Sequence, residues 1–282
     1  MGKRNTAMTE EKIQRWLAEG RGKGYGRDYK PWFTVRDVAS IGREHRTYSH
    51  TVGRTHHLLS DLEFAFFLVL DMSEDIVDIR EQFPLPREVT RAIAKRLKFR
   101  HPRQPGANCD FVMTTDLVAT RLVDGIQVME AYAVKHSKDL ENARIKQKLD
   151  IEEAYWTSIG IRFAVLTEAH ISANIKKALK WLHPVRTLRA AEKNTWDLIA
   201  ASSRRLLLSL AAPKNSNELL TNLCNSLDAE ANTEDGAHLL AARFLFANRM
   251  LLADFGDVEI WRATVSQTSI NERLGLEELF FG

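Results

Sequence analysis

The sequence of 282 residues has only two cysteines, Cys109 and Cys224, and they lie far apart. This makes a disulfide framework or a cysteine-based zinc site improbable, and a reducing cytosol is the default environment. The longest strongly apolar run, Phe64 to Leu70, is much shorter than the roughly 20 residues of a membrane span. The first residues, MGKRNTAMTEEK, lack the apolar segment of a secretory signal. We therefore expect a cytoplasmic protein without a membrane partner.

The charges of the chain nearly balance, with a net charge of +3 and an isoelectric point near 8.8. A mildly basic chain is compatible with a nucleic-acid partner but does not require one. Hydrophobic residues make up 44% of the sequence, enough for a globular core. The length allows one domain and favours two.

A glycine-rich basic segment, GRGKGYGRDYK, occupies residues 20–30. Its glycines would let the backbone approach a phosphate chain closely, and four side chains could contact phosphates. These candidate DNA-binding residues are Arg21, Lys23, Arg27 and Lys30. The alternative is a flexible, solvated loop. Residues 41–57 are also basic and contain four histidines, and their spacing favours solvated or DNA-facing side chains over a zinc site.

The first 168 residues predict an α/β domain with a mixed sheet flanked by helices. A hairpin is indicated by Asp124-Gly125 between two strand-like segments. The predicted helices are 9–19, 60–70 and 138–159, the last ended by Gly160, and the predicted strands are 77–83, 110–122, 127–135 and 161–167.

Residues 169–282 predict a second, mainly helical domain of winged-helix-like architecture. Its expected helices are 172–182, 187–211, 216–228 and 234–247, followed by a strand–turn–strand at 250–261 with Gly256 at the tip. We expect this domain to contact a partner protein, DNA or both. Arg243 and Arg249 would suit either role, although plain solvation is the simpler interpretation.

Three ionisable residues stand out in the first domain. Glu63 lies in an apolar helix, Asp116 lies inside a strand where Asp is disfavoured, and Lys135 ends an apolar strand. Counting outward from the Asp124-Gly125 turn places position 116 opposite position 133, on the face shared with Lys135.

Two carboxylates and a lysine at one end of a sheet suit phosphodiester hydrolysis. Oxygen ligands are what magnesium prefers, and a bound ion would polarise the phosphate. The lysine would orient or deprotonate water, or neutralise charge. The alternative is a structural Asp116–Lys135 ion pair with Glu63 capping a neighbouring element.

The order Glu63, Asp116, Val134-Lys135 resembles the PD-(D/E)xK, restriction-endonuclease-like nucleases. Further segments resemble the TnsA family, the endonuclease subunits of heteromeric cut-and-paste transposases, over residues 9–186. These segments are GRGKGYGRDYKPWFTV, HHLLSDLE, VDIREQFPL, MTTD, VK, EAYW and WLHPV.

The resemblance implies that Glu63, Asp116 and Lys135 are catalytic, with Glu63 and Asp116 binding Mg²⁺, and that Mn²⁺ can substitute for it. It implies cleavage of the non-transferred strands at the 5′ ends of a transposon. The implied partners are DNA, a DDE-type transposase subunit (TnsB) and an ATP-using regulator (TnsC).

One position departs from the family pattern. Ala133 stands where the family has Gln, Glu or Asp, and alanine offers no side-chain oxygen. The carbonyl of Val134 is then a candidate third ligand, while Glu130 is expected on the opposite face. Glu152, within the apolar stripe of the helix 138–159, is a secondary site candidate unless it pairs with Lys148.

Two other functions stay open at this stage. A free-standing restriction-like nuclease would cut without partners. A catalytically weakened adaptor would only bridge DNA and a regulatory ATPase, and Ala133 is the residue that favours it.

Overall fold

Contacts divide the chain into two units, residues 1–171 and 172–282. The structure is a computed structural model that describes residues 8–37, 42–103, 109–186, 188, 193–211, 217–256 and 259–271. The helices of the first unit are α1 (Glu10–Ala18), α2 (Asp61–Asp71), α3 (Arg87–Arg96) and α4 (Ala143–Ser158). Its strands are β1 (His45–Ser49), β2 (Arg54–Leu58), β3 (Ile76–Pro84), β4 (Thr114–Val123), β5 (Ile126–Val134) and β6 (Arg162–Leu166).

A four-stranded sheet in the order β3-β4-β5-β6 lies at the centre of the first unit. Strand β4 is antiparallel to both β3 and β5, whereas β6 is parallel to β5. A parallel pair needs a crossover, and α4 supplies it. The predicted mixed sheet flanked by helices is confirmed.

The turn between β4 and β5 sets the register of the sheet. Asp124 and Gly125 both have positive φ, 49° and 80°, as a two-residue type I′ turn requires. Val123 therefore faces Ile126, and farther along Leu117 faces Tyr132. This is the predicted register, and it places Asp116 and Ala133 side by side at the far end of the hairpin.

Helices α3 and α4 cover the sheet face that carries Val118 and Ala131. Ile93 of α3 and Ile151 and Trp156 of α4 pack against these residues in a buried apolar cluster. Asp116 is two residues from Val118 and so shares the α4-facing side of the strand.

In the first unit, the sequence prediction missed two elements and misplaced the start of two others. The strand expected over residues 110–122 begins at Thr114. The β1–β2 hairpin and α3 were not predicted, although Pro86 immediately before α3 is a typical start signal. The helix expected over residues 138–159 begins at Ala143. Asn142 caps it, accepting hydrogen bonds from the amides of Arg144 (2.8 Å) and Ile145 (3.3 Å), and a short 3₁₀ turn precedes it. As predicted, the helix ends before Gly160, whose φ is 73°.

The second unit is mainly helical. It contains α5 (Ala173–Leu182), α6 (Lys193–Ala211), α7 (Leu220–Ala231), α8 (Ala237–Ala247) and the two-residue strands β7 (Leu251–Leu252) and β8 (Ser269–Ile270). The expected strand–turn–strand around Gly256 is wrong, because β7 pairs with β8, and Ile260–Arg262 form a 3₁₀ turn. Of the expected elements here, residues 187, 189–192, 216 and 257–258 lie outside the described residues.

A winged-helix-like architecture remains a prediction for the second unit. Within the described ranges, no helix has the length and apolar character needed to span a membrane.

Candidate active site

The hairpin brings Asp116 and Lys135 into direct contact. The Lys135 ammonium donates to Oδ2 of Asp116 at 2.6 Å and to the carbonyl of Val134 at 2.9 Å. The amide of Val134 donates to the same Asp116 oxygen at 2.7 Å. Burial disfavours the charged form of Lys135, but the Asp116 carboxylate outweighs burial and raises the pKa of Lys135. Lys135 is therefore held protonated beside Asp116.

Glu63 reaches the site from the first turn of α2. Ser60 caps the helix by accepting the amide hydrogen of Glu63 at Oγ (3.1 Å), and the Ser60 hydroxyl and the Leu59 amide donate to the Glu63 carboxylate at 3.0 Å. The carboxylate is buried, and burial followed by the charge of Asp116 raises the pKa of Glu63. The alternative that Glu63 caps a neighbouring element is wrong, because its hydrogen bonds are to Leu59 and Ser60 at the start of its own helix, and its carboxylate is also acted on by the charge of Asp116.

Gln82 links Glu63 to the sheet. Its amide donates to Oε2 of Glu63 at 3.4 Å, and its oxygen accepts the hydroxyl hydrogen of Thr114 at 3.1 Å. Its φ of 47° is uncommon for a residue that is not glycine. Its hydrogen bond to Glu63 makes Gln82 a neighbour of the site that sequence reasoning missed.

Glu152 enters the site from α4 with its side chain almost completely buried. Its residue is 6% exposed, and its Oε1 atom has no hydrogen-bond partner. Burial and then the charge of Asp116 raise the pKa of Glu152 to about 8, and Thr115 and Lys135 oppose them only in part. The pairing of Glu152 with Lys148 considered from the sequence does not occur. A buried carboxylate oxygen without a partner is costly and suits a position that holds a cation.

Ala133 is fully buried beside Asp116 and contributes no oxygen. Glu130 does not replace it, because Glu130 bonds to Arg121, Tyr132 and Arg162. This agrees with the expectation that Glu130 points elsewhere.

The donors at the site fit a magnesium ion. Over the described ranges, no group of three or more His, Cys, Asp or Glu residues forms a ready metal cage. Magnesium commonly binds through one or two carboxylates and keeps several waters. Asp116, Glu63 and the Val134 carbonyl, with the unpaired oxygen of Glu152 nearby, match that donor chemistry. Because burial and the charge of Asp116 raise the pKa values of Glu63 and Glu152, a divalent cation at this position would stabilise their ionised forms.

A cleft of about 520 Å³ opens beside these groups. Asp116, Lys135 and Glu152 line it, together with Thr114, Lys148, Arg103 and apolar residues of α4 and of the segment before β4. Glu63 is buried and does not line the cleft. The cleft gives a substrate access to Asp116 and Lys135.

The four candidate DNA-binding residues of the glycine-rich loop separate into two groups. Arg21 is half-buried: it binds Asp37 at 2.7 Å and the Trp32 carbonyl at 3.0 Å, and its guanidinium lies 3.9 Å from the centre of the Trp16 ring. Lys30 donates to the carbonyl of Glu19 at 3.0 Å, at the end of α1. These two residues hold the loop in place.

Lys23 and Arg27 form the second group. Both are exposed, and neither makes an ion pair within the part of the chain that the structure describes. They remain available for a phosphate chain.

Part of the expectation for the basic stretch 41–57 is wrong. Arg54 and His56 do not face solvent or DNA but lie buried against Glu81 of β3. Arg54 donates to both Glu81 oxygens at 3.0 and 2.6 Å, and Nδ1 of His56 lies 2.8 Å from Oε2. Their role is structural.

Comparison with known proteins agrees with this site. The family model described as TnsA-like endonuclease N terminal matches residues 73–168, and that described as TnsA endonuclease C terminal matches residues 170–255. The chain is 37% identical over 280 residues to the transposon Tn7 transposition protein TnsA of Escherichia coli, covering 99% of this chain and 98% of that protein. The chain belongs to the TnsA endonuclease family.

Membership of the TnsA family makes this chain a DNA endonuclease subunit of a transposase. An endonuclease of this family is expected to use a divalent metal. Asp116, Lys135 and Glu152 lie within the range of the N-terminal match, and Glu63 lies before it. The TnsA segments recognised in the sequence are thus confirmed at the level of the family, whereas the roles of the individual residues stay predictions.

Proposed function

We propose that this TnsA-family chain is a magnesium-dependent nuclease that hydrolyses the non-transferred strands at the 5′ ends of a transposon. Its partners would be the transposon-end DNA, a DDE-type transposase subunit of the TnsB kind, and an ATPase regulator of the TnsC kind. The observation that carries the proposal is the meeting of Asp116, Lys135 and Glu152 in one cleft of a TnsA-family chain. Manganese is expected to substitute for magnesium.

Asp116 and Glu63, with the carbonyl of Val134, would hold the ion, and the carboxylate of Glu152 would add negative charge near it. The ion supplies Lewis-acid polarisation of the phosphate and stabilises the leaving oxyanion. Lys135 keeps the Asp116 carboxylate in position through its hydrogen bond. Because Lys135 is protonated, it suits neutralising charge on the phosphate or orienting water better than accepting a proton.

Exposed cations would hold the DNA. Lys23 and Arg27 are free to contact phosphates, whereas Arg21 and Lys30 act by fixing the loop that presents them. The second unit is proposed to contact the regulator, DNA or both.

A transposition assay with the partner transposase tests the proposal. Asp116→Asn is the test variant, and it preserves an acceptor for the Val134 amide. Asp124→Asn is the matched control at the other end of the same hairpin, where a φ of 49° tolerates asparagine. We expect Asp116→Asn to convert simple insertions into products still joined at the 5′ ends, and Asp124→Asn to behave as wild type.

The same assay separates the two alternatives. A free-standing nuclease would nick transposon-end DNA equally well without the transposase. An adaptor would show no magnesium-dependent nicking, and Asp116→Asn would leave its products unchanged. Either outcome would overturn the proposed function.

A further inference from the structure

Lys148 is a cation of the cleft that the proposed chemistry does not use. It lies on α4 one helical turn before Glu152 and lines the cleft with Asp116 and Lys135. Residues four apart on a helix can form an ion pair. Lys148 nevertheless makes no hydrogen bond or ion pair with any residue in the described ranges. Its side chain is exposed, while Glu152 is buried.

The other two cations that line the cleft are neutralised. Arg103 binds Asp110 at 2.7 Å, and Lys135 binds Asp116 at 2.6 Å. The charged groups that act on Lys148 are two further cations, Arg144 and Lys135. Arg144 in turn donates to the neutral side chain of Gln147. Lys148 therefore presents a positive charge to solvent in this cleft, and no carboxylate of the described residues pairs with it. The carboxylates of Asp116 and Glu152 line the same cleft.

We propose that Lys148 binds a phosphate of the cleaved strand that directly flanks the scissile phosphate. The inference rests on the proposed function, because it takes the Asp116 end of the cleft as the place of cleavage. Both ammonium groups line one cleft of about 520 Å³. A strand with its scissile phosphate beside Asp116 and Lys135 would therefore bring a neighbouring phosphate near Lys148. Lysine binds phosphate as a compact point charge that needs no bidentate geometry.

The first test measures binding of the full-length chain, with its partner transposase, to transposon-end DNA at several salt concentrations and without divalent metal. The variants are Lys148→Gln, Lys148→Arg and Lys146→Gln. Lys146 is a matched control because it is an exposed lysine of α4 that does not line the cleft. Loss of one phosphate contact lowers the slope of log affinity against log salt by about one. We expect that change for Lys148→Gln alone, with Lys148→Arg retaining the wild-type slope.

The second test locates the phosphate. Each phosphate near the cleavage point is replaced in turn by an uncharged methylphosphonate, and binding is measured for wild type and Lys148→Gln. We expect the wild type to lose about tenfold in affinity at one flanking position, as for a charged hydrogen bond, and Lys148→Gln to lose nothing further there.

Equal losses for both proteins at every position, or equal slopes for the two glutamine variants, would overturn the Lys148 assignment while leaving the nuclease function intact. A wild-type assembly that binds the DNA but never nicks it when magnesium is added would instead contradict the proposed function.

Discussion

Oδ2 of Asp116 lies 2.6 Å from the ammonium of Lys135 and also accepts the amide hydrogen of Val134. Asp116 lies in β4 and Lys135 directly follows β5, so their meeting depends on a turn eight residues beyond Asp116. A shift of the hairpin by one residue would turn Asp116 to the other face of the sheet. The type I′ turn at Asp124-Gly125 therefore fixes the candidate site from a distance.

Replacing Lys135 by methionine should remove cleavage while sparing the fold. The variant keeps most of the apolar stem but loses the charge beside the phosphate, so we expect nicking to fall by at least about 100-fold. Lys138→Met, at an exposed position three residues later, serves as the control and should cut normally. The measurement is single-turnover nicking of labelled transposon-end DNA. Undiminished nicking by Lys135→Met would remove Lys135 from the site.

Glu152→Gln should weaken the binding of divalent metal. The amide keeps the shape of the side chain but removes the charge of a buried carboxylate whose Oε1 has no partner. Groups that support metal ligands typically contribute 10–100-fold in affinity, and we expect a loss of about tenfold. Calorimetric titration of the DNA-free protein with Mg²⁺ or Mn²⁺ measures it. The exposed neighbour Glu153→Gln is the control, and equal affinities for the two variants would place Glu152 outside the metal's surroundings.

Sequence reasoning succeeded where the information is local. The Asp124-Gly125 turn and simple counting placed Asp116 near Lys135, and a carboxylate in an apolar helix drew attention to Glu63. It failed where the partner of a side chain comes from a distant element. Arg54 and His56 have the composition of a solvated basic stretch, and only the fold brings Glu81 of β3 against them.

Hydrogen bonds between polar side chains and the nearby backbone also limited how well the helix starts could be predicted. Asn142 has a side chain that caps α4, so the helix starts five residues after Lys138 despite an apparently continuous pattern. At α2, Ser60 caps the helix by accepting the amide hydrogen of Glu63, and the Glu63 carboxylate accepts hydrogen bonds from the Leu59 amide and the Ser60 hydroxyl. These hydrogen bonds help to explain why a buried carboxylate is tolerated at the start of α2.

Acid should destabilise the protein through Glu81. Burial alone would raise its pKa, but His56 and Arg54 outweigh burial and hold the pKa of Glu81 well below its usual value. A lowered pKa in the folded state stabilises the protein above the unfolded value of about 4.5, and this contribution disappears as the pH falls through the acid range.

Glu81→Gln isolates that contribution. At pH 7 it leaves Arg54 buried without its carboxylate, so we expect a loss of about 3–5 kcal/mol in the free energy of unfolding. The difference from wild type should shrink as the pH falls below about 4.5, because unfolded Glu81 then binds a proton that folded Glu81, with its lowered pKa, does not bind. Urea unfolding of both proteins across this pH range measures it, and a pH-independent difference would contradict the assignment.

Two basic residues of the glycine-rich loop should respond in opposite ways to the same substitution. Arg21→Gln removes the bonds to Asp37 and the Trp32 carbonyl and the stacking on Trp16, so we expect the free energy of unfolding to fall by about 1–3 kcal/mol. Lys23→Gln changes an exposed side chain without an ion pair in the described ranges, so stability should stay within about 0.5 kcal/mol. Its effect should appear in DNA binding, where the salt slope falls by about one.

Urea unfolding and salt-dependent DNA binding of the two variants, measured side by side, separate the roles. If Lys23→Gln binds DNA with the wild-type slope, the loop does not contact the phosphate chain through Lys23. If Arg21→Gln has the same midpoint of urea unfolding as wild type, the contacts of Arg21 with Asp37 and Trp32 do not hold the loop. Arg21 would then again be a candidate DNA-binding residue.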